Sequence, residues 1–138
     1  HVTWDQLNEM LDTGLVEVQN HSYDLHSYTP ERHGCLPNAG ESETEYAALL
    51  RADLQRLQDE LTSYTGCTPD TFAYPYGKYS DRTDQVLRGM GFQATLSCDW
   101  GINHLTRDSA CLYRLRRICR SHGQPLSAAL ERAYKAAG

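Results

Sequence analysis

Long hydrophobic runs are missing from this sequence of 138 residues, and so is any excess of positive charge. A helix that spans a bilayer needs about 20 consecutive apolar residues, and no stretch of this sequence approaches that length. The 13 basic and 18 acidic residues give a formal net charge of −5, so a nucleic acid gains no electrostatic attraction to the chain. We therefore expect neither a membrane span nor a nucleic-acid partner.

The cysteine pattern excludes two further kinds of site. The cysteines are odd in number and widely spaced, with no Cys-x-x-Cys pair among them; they are Cys35, Cys67, Cys98, Cys111 and Cys119. A structural zinc cluster usually contains such close pairs, and a disulfide framework has an even number of cysteines. We interpret all five as free thiols that behave as small hydrophobic side chains in or near a core.

The overall composition is that of an ordinary globular domain. Hydrophobic residues make up 40% of the chain and charged residues 22%. A chain of 138 residues is long enough for one domain with one core. We therefore treat residues 1–138 as a single domain.

Capping patterns and hydrophobic periodicity predict four helices. Thr3 with Gln6 forms a capping box before apolar residues at helical spacing, and Ser42 with Glu45 forms another before a second helix that Gly66 ends. The second helix carries one apolar stripe that we assign to the core: Tyr46, Leu49, Leu50, Leu54, Leu57 and Leu61. Two more helices are predicted, over residues 81–90 and 126–137.

Strands are predicted between these helices. They cover residues 15–19, 71–74, 92–98 and 111–119, with long loops over residues 27–42 and 99–110. Strands that alternate with helices indicate an α/β fold with a mainly parallel sheet and helices packed outside it. In such folds ligands bind beyond the carboxyl ends of the strands. Three segments fall at such ends: residues 21–26, 75–77 and 98–103.

His21 and His26 follow the first predicted strand and are five positions apart. An offset of five directs two side chains to different sides of a helix and to opposite faces of a strand. Their rings can converge only if the strand ends near His21 and the backbone turns before His26. Neutral imidazole is a common ligand of zinc and similar cations, but a catalytic site needs a third ligand and an open position. The pair is thus either a metal site or two ordinary surface residues, and Asp24 is either a ligand or a turn residue.

The segments around this pair resemble a known family. The sequence is Gly-Leu-Val-Glu-Val over residues 14–18 and Gln-Asn-His-Ser-Tyr-Asp-Leu-His over residues 19–26. These two segments resemble the second motif of polysaccharide deacetylases with the NodB homology domain, carbohydrate esterase family 4. The resemblance is to the branch of that family with four residues between its two metal-binding histidines. Residues 72–77 (Phe-Ala-Tyr-Pro-Tyr-Gly) resemble the third motif. Residues 3–7 and 115–118 resemble the helix before the histidine strand and a late strand of the same domain. The resemblance covers nearly the whole chain.

This resemblance implies an irregular (β/α) barrel and a hydrolase that removes N-acetyl groups from an amino-sugar polysaccharide, with acetate as a product. It implies that His21 and His26 bind a divalent metal, commonly zinc, and that the backbone N–H of Tyr76 donates to the developing oxyanion. Most relatives act outside the cytoplasm, so the resemblance also implies an extracellular or cell-envelope location.

Several further residues have two interpretations each. By its motif position Arg117 orients a carboxylate of the site; otherwise it is an ordinary exposed strand residue. The resemblance implies a late histidine as general acid, for which His122 is the nearest candidate by order; otherwise His122 is a solvated loop residue. Tyr74, Tyr76 and Trp100 are candidates for a sugar-binding groove, because aromatic faces fit sugar rings, although Tyr74 could equally pack in the core.

The sequence departs from the family at its first motif. That motif is an Asp-Asp pair that supplies the catalytic base and a third metal ligand, and no such pair occurs here. Asp81 and Asp84 lie in a helix pattern and do not fit it. We therefore expect the chain to be the C-terminal portion of a deacetylase domain, with exposed sheet edges that pair with a second copy or are otherwise assembled with a partner. Ala73 stands where many members have an arginine, which indicates a subtype.

Two other functions are compatible with the same residues. A non-catalytic glycan-binding or structural module would keep the fold without the chemistry. A metal-dependent amidase would keep the chemistry for a small non-sugar substrate. An Asp-Asp pair encoded upstream, or acetate release from an N-acetylated glycan, would favour the deacetylase over the non-catalytic module.

Overall fold

Four helices and three strands make up the described part of the chain, which comprises residues 1–27 and 32–137 of this computed structural model. The helices are α1 (Trp4–Asp12), α2 (Glu43–Thr65), α3 (Asp81–Gly89) and α4 (Leu126–Ala137). The strands are β1 (Thr71–Ala73), β2 (Ala94–Trp100) and β3 (Leu115–Arg117), and short 3-10 turns cover Pro75–Gly77 and Ser109–Leu112. Within these described ranges, no helix has the length and apolar character that a membrane crossing requires.

Local capping determines where the first two helices begin, and both predicted capping boxes are confirmed. The Thr3 hydroxyl accepts the Gln6 N–H at 3.2 Å, while the Gln6 side chain accepts the Thr3 N–H at 2.9 Å. Ser42 and Glu45 make the same reciprocal pair at the start of α2. Gly66 follows α2 with a φ of 72°, a left-handed conformation that glycine adopts without steric strain.

The strands form one parallel sheet in the order β1–β2–β3. Helix α3 connects β1 to β2 as the crossover of a βαβ unit. Phe72 of β1 lies opposite Thr95 of β2, and Asn20 makes an isolated parallel bridge to Phe72 on the other side of β1. The predicted α/β class with a parallel sheet is confirmed, and the carboxyl ends of its strands meet at one edge.

One core cluster packs the sheet against α2 and α3. Its buried members are Cys35, Tyr46, Leu50, Leu54, Phe72, Tyr74, Val86, Leu87 and Phe92. The core assignment of Leu49 is wrong, because this side chain is 40% exposed; it lies one residue, or about 100° of helix rotation, away from Leu50. The expectation that the cysteines are small hydrophobic side chains in or near a core holds for Cys35, which is buried, whereas Cys98 and Cys119 are exposed.

The strand predicted over residues 15–19 does not form, and the sheet contact begins only at Asn20. The Gln19 side chain explains this difference. Its Oε1 accepts the N–H groups of Asp70 at 3.1 Å and Thr71 at 2.9 Å. A side-chain amide thus satisfies the backbone at the start of β1, where a neighbouring strand would otherwise pair.

The last predicted strand, over residues 111–119, is shortened to β3. The turn Ser109–Leu112 occupies its beginning, and Arg114 has a φ of 61°, which interrupts the extended backbone. On the outer side of β3, the Asn103 side chain accepts the Arg116 N–H and donates to the Arg116 carbonyl, both at 2.9 Å. β2 begins at Ala94 rather than at position 92. Within the predicted loop over residues 27–42, residues 28–31 lie outside the described part of the chain.

Candidate metal centre

A bend in the backbone brings His21 and His26 together. After Asn20 the chain leaves the sheet edge: Ser22 has a φ of 73°, and its N–H donates to the Asn20 side-chain oxygen at 2.9 Å. The ring centroids of His21 and His26 lie 4.9 Å apart, with 52° between the ring planes. The convergence that a metal site would require is therefore present, while the role of the two rings as ligands stays a prediction.

The hydrogen bond of His21 determines which of its nitrogens can bind a cation. Its Nδ1 lies 2.7 Å from the carbonyl oxygen of Ala73, the last residue of β1. Because a carbonyl oxygen only accepts, Nδ1 carries the proton and Nε2 keeps its lone pair in the neutral ring. Metal-binding histidines commonly donate their other N–H to a backbone carbonyl, which fixes the ring orientation. The exposed His21 side chain thus has the tautomer that a metal ligand needs.

Tyr76 supports His26 from the turn that follows β1. The two rings stack with centroids 4.3 Å apart, and the Tyr76 hydroxyl donates to the His26 backbone carbonyl at 3.0 Å. Tyr76 itself has a φ of 56°. The His33 ring lies 5.2 Å from the Tyr76 ring, which brings a third imidazole to this turn. His33 comes from the loop before α2, and no local sequence pattern distinguishes it from an ordinary loop residue.

Gly77 allows β2 to pack directly behind this turn. Its φ is 65°, and a Cβ added there would lie 2.5 Å from the Cys98 Cβ and 2.9 Å from the Cys98 backbone nitrogen. No side chain fits in that space, so only glycine meets both the conformational and the steric requirement. The turn that carries Tyr76 is therefore fixed between His26 on one side and β2 on the other.

Tyr74 lies in the core, so the prediction that it lines a sugar groove is wrong. Its side chain is fully buried. Its hydroxyl donates to Asp84 and lies 2.9 Å from the Thr95 hydroxyl, and Asp84 also accepts from Arg114 Nε at 2.7 Å. Burial, and then the bond to Asp84, raise the pKa of the Tyr74 hydroxyl above its ordinary value. A neutral, buried phenol in this network stabilises the βαβ unit and is not accessible to a ligand.

Trp100 and Arg117 line one surface cavity of about 390 Å³, beside the carboxyl end of β2. Its other lining residues are Cys98, Ile118 and Cys119. Arg117 donates through Nε to the Ser97 carbonyl at 2.5 Å, and a terminal nitrogen lies 3.1 Å from the Cys98 sulfur. The Arg132 guanidinium lies 5.0 Å from the Trp100 ring centroid. The structure thus brings Trp100, a candidate for the sugar-binding groove, together with Arg117, and the roles of both toward a substrate stay predictions.

His122 is exposed in the segment between β3 and α4, and its assignment as the general acid stays a prediction. Within residues 1–27 and 32–137, no group of three or more His, Cys, Asp or Glu side chains is placed to hold a metal ion. His21 and His26 therefore form a two-imidazole arrangement in this part of the chain.

Two residues that shape the bend were not identified from the sequence. Asn20 is fully buried, and its Nδ2 donates to the Leu54 carbonyl of α2 at 3.3 Å. Asp53, also in α2, accepts two backbone N–H groups of the bend. Because Asp53 is separated from those donors by about 30 positions, no local pattern links it to the histidines. The only signal is an acidic residue next to the buried face of a helix.

Comparison with known proteins identifies the family. The family model described as polysaccharide deacetylase matches residues 1–95. A poly-beta-1,6-N-acetyl-D-glucosamine N-deacetylase of Staphylococcus aureus (strain MSSA476) is 31% identical over 94 residues, which are 68% of this chain and 30% of that protein. The chain belongs to the polysaccharide deacetylase family, and it spans about 30% of the length of the curated relatives it matches.

Two solved structures share the fold. The BpsB deacetylase domain from Bordetella bronchiseptica is 31% identical with a TM-score of 0.68, covering 84% of this chain and 48% of that chain. IcaB from Ammonifex degensii is 27% identical with a TM-score of 0.71, covering 95% of this chain and 53% of that chain. The parallel sheet and its helices are accordingly part of an irregular (β/α) barrel of the NodB type, as the resemblance implied.

Proposed function

We propose that this protein is a metal-dependent hydrolase that removes N-acetyl groups from an amino-sugar polysaccharide. In this proposal His21 and His26 bind a divalent cation, with zinc as the first choice. The observation that supports it most directly is the hydrogen bond from His21 Nδ1 to the Ala73 carbonyl, which leaves Nε2 as a ligand nitrogen beside the His26 ring.

The two imidazoles fit part of the ligand set of such a cation. Neutral imidazole suits zinc, and a catalytic zinc site combines three protein ligands with an open position. The family pattern assigns the third ligand and the catalytic base to the Asp-Asp pair that this sequence lacks. The chemistry that a bound divalent cation would supply is Lewis-acid activation of water and of the acetamide carbonyl.

The remaining roles are proposed for Tyr76 in the turn, for Arg117 and Trp100 in the cavity, and for His122 in the segment after β3. The backbone N–H of Tyr76 donates to the developing oxyanion, and the contacts of this residue with His26 support that placement. Arg117 orients a carboxylate, and Trp100 contacts a sugar ring. His122 protonates the leaving amine as the general acid, so that acetate and a free amino sugar are released.

The relatives indicate which glycan to test first. The S. aureus relative is named a poly-beta-1,6-N-acetyl-D-glucosamine N-deacetylase, so we propose a β-1,6-linked N-acetylglucosamine polymer as the substrate class. An envelope polymer of this kind agrees with an extracellular or cell-envelope location, which we propose on the same basis.

Zinc binding and acetate release test this proposal together. Zinc affinity is measured by calorimetry, and acetate release from β-1,6-linked N-acetylglucosamine oligosaccharides is measured with added zinc or cobalt, using the protein as its gene encodes it. His21→Ala and His26→Ala should each abolish acetate release. Each should also weaken zinc binding by more than about 100-fold. Removal of a residue that only hydrogen-bonds to a metal ligand weakens metal binding by roughly 10–100-fold, and loss of the ligand itself should have a larger effect. His104→Ala, at an exposed loop histidine, is the matched control and should change neither.

The outcomes separate the alternatives. Glycan binding without acetate release in the presence of zinc would favour the non-catalytic module. Release of acetate from a small N-acetylated compound but not from the oligosaccharides would favour the amidase. Zinc binding that survives both histidine substitutions would contradict the proposed metal centre.

A further inference from the structure

We infer that Asp53 is a positioning residue of the metal centre: its carboxylate holds the backbone between His21 and His26 in the bend that makes their rings converge. This inference rests on the proposed function, because it concerns the same two imidazoles. It assigns a metal-related role to a helix residue that lies outside every motif of the sequence.

Both carboxylate oxygens of Asp53 accept a backbone N–H of the bend. Asp53 Oδ1 accepts the Tyr23 N–H at 2.9 Å, and Oδ2 accepts the Asp24 N–H at 2.8 Å. An ionised carboxylate only accepts hydrogen bonds, and such charge-assisted bonds to backbone N–H groups are stronger than neutral ones. Both donors lie between the two histidines, so the carboxylate fixes the orientation of two successive peptide units at the centre of the bend.

The bend needs this support because its backbone is otherwise unfavourable. Ser22 has a φ of 73°, a left-handed conformation that residues with a Cβ disfavour. A continuous strand would place side chains five positions apart on opposite faces. The convergence of His21 and His26 therefore depends on bonds from outside the segment that hold the turned conformation.

Helix α2 supplies such bonds on both sides of Ser22. Leu54, next to Asp53, accepts from the buried Asn20 amide at 3.3 Å, and the Asn20 side-chain oxygen accepts the Ser22 N–H at 2.9 Å. One turn further along α2, Arg56 donates to the Tyr23 hydroxyl at 2.7 Å, with its guanidinium 3.7 Å from the ring centroid. These bonds attach the bend to α2, while the Tyr76 hydroxyl holds the His26 carbonyl from the turn after β1. Among the bonds that α2 makes within the described ranges, those of Asp53 reach the backbone between Ser22 and His26.

Asp53→Asn is the sharpest test. The asparagine side chain has the same size, but it has one acceptor oxygen, and its NH2 group would face a backbone N–H donor. Asp59→Asn is the matched control, since Asp59 lies in the same helix, is exposed, and accepts only the Gln55 amide at 2.8 Å among the contacts described. We expect Asp53→Asn to weaken zinc binding by about 10–100-fold and Asp59→Asn to change it by less than about 2-fold.

Cobalt supplies a readout that stability alone would not change. The visible absorption of Co²⁺ bound to the protein reports ligand geometry, so Asp53→Asn should alter its intensity and band positions at saturating cobalt, and Asp59→Asn should not. Amide hydrogen exchange of the unsubstituted protein tests the inference even if the Asp53→Asn variant does not fold. The Tyr23 and Asp24 amides should exchange slowly with solvent, and zinc should slow their exchange further.

The results distinguish this inference from the proposed function. If the unsubstituted protein binds no zinc, both fail together. If it binds zinc and Asp53→Asn binds equally well with an unchanged cobalt spectrum, the inference fails and the proposed function stands. Rapid exchange of the Tyr23 and Asp24 amides in the unsubstituted protein would also overturn the inference.

Discussion

Gly77 and Gly66 adopt almost the same backbone conformation in very different surroundings. Their φ angles are 65° and 72°. A Cβ added at Gly77 would overlap Cys98, whereas one added at Gly66 would have no atom within 4 Å. Gly66 is therefore required only for its backbone conformation, whereas Gly77 is required both for its conformation and for the space behind the Tyr76 turn.

Alanine at the two positions should give different losses of stability. Gly66→Ala should lower the free energy of unfolding by about 1–2 kcal/mol, the range for placing an L-residue in the left-handed region. Gly77→Ala should lower it by about 1–3 kcal/mol more, because the added methyl group must displace β2 or the turn. Urea unfolding of both variants and the unsubstituted protein measures the difference. Equal losses would show that the space next to Cys98 can be enlarged without cost.

At the residue scale, the sequence revealed the histidine pair but not what holds it. The motif identified His21 and His26 as a candidate pair, but an odd offset in a strand separates side chains, so their convergence depended on a backbone turn that no local pattern specifies. The roles of Asn20 and Asp53 could not be inferred, since their partners lie in another element. The burial of Tyr74 likewise depends on Asp84 and Thr95, which reach it only after α3 and β2 have packed.

At the element scale, α2 depends on its capping box for a defined start. The Ser42 hydroxyl accepts the Glu45 N–H at 3.2 Å, and the Glu45 carboxylate accepts the Ser42 hydroxyl at 2.7 Å and the Ser42 N–H at 3.2 Å. The hydrogen bonds from the Ser42 hydroxyl, and then from the Ser42 N–H, lower the pKa of the Glu45 carboxyl below its usual value of 4.5. Part of the cap is therefore sensitive to pH.

Ser42→Ala should lower the free energy of unfolding by about 0.5–2 kcal/mol at pH 7, the usual loss on removing an N-cap side chain. Because the pKa of Glu45 is lowered in the folded protein, its contribution is present above pH 4.5 and is lost as the pH falls through the folded-state pKa. The difference between Ser42→Ala and the unsubstituted protein should therefore narrow below pH 4.5.

Thermal or urea unfolding from pH 3 to pH 7 measures how the difference in unfolding free energy between Ser42→Ala and the unsubstituted protein changes with pH. Ser63→Ala, at an exposed position within α2, is the control and should show no loss at any pH. A Ser42→Ala loss that is the same at pH 3 and pH 7 would contradict the role of the Glu45 carboxylate in the cap.

Elements with local signals were predictable, and those that depend on distant partners were not. The helices were located by capping residues and periodicity, which lie within the element itself. The strand expected over residues 15–19 has a suitable alternating pattern, but the Gln19 side chain satisfies the edge of β1. β3 is short because Arg114 turns the backbone just before it, and nothing in the alternation of residues 111–119 indicates a positive φ.

At the scale of the whole molecule, the sheet has two edges, and a side-chain amide is bonded at each. Gln19 covers the start of β1, and Asn103 covers the middle of β3 at Arg116. Side chains that occupy edge hydrogen-bonding groups limit pairing with other chains. The self-association predicted from the sequence must therefore compete with Asn103 wherever it uses the outer side of β3.

Asn103→Ala should increase self-association of the 138-residue chain, because it exposes the N–H and carbonyl of Arg116 to a second copy. Light scattering over a range of concentrations measures the associated fraction. Asn8→Ala is the matched control, since the Asn8 side chain bonds to the Tyr64 carbonyl, away from the sheet. A strictly monomeric Asn103→Ala variant at every concentration would contradict association through this edge.

The hydrogen bonds that hold His21, His26 and the bend between them join distant parts of the chain. His21 and Ala73 are 52 positions apart, His26 and Tyr76 are 50 apart, and Tyr23 and Asp53 are 30 apart. Contacts between such distant residues form only after long loops have closed, with the entropy loss that closure entails. The two imidazoles should therefore come together late in folding, after α2 and β1 have docked, and denaturant should release a cation from the proposed site before the helices unwind.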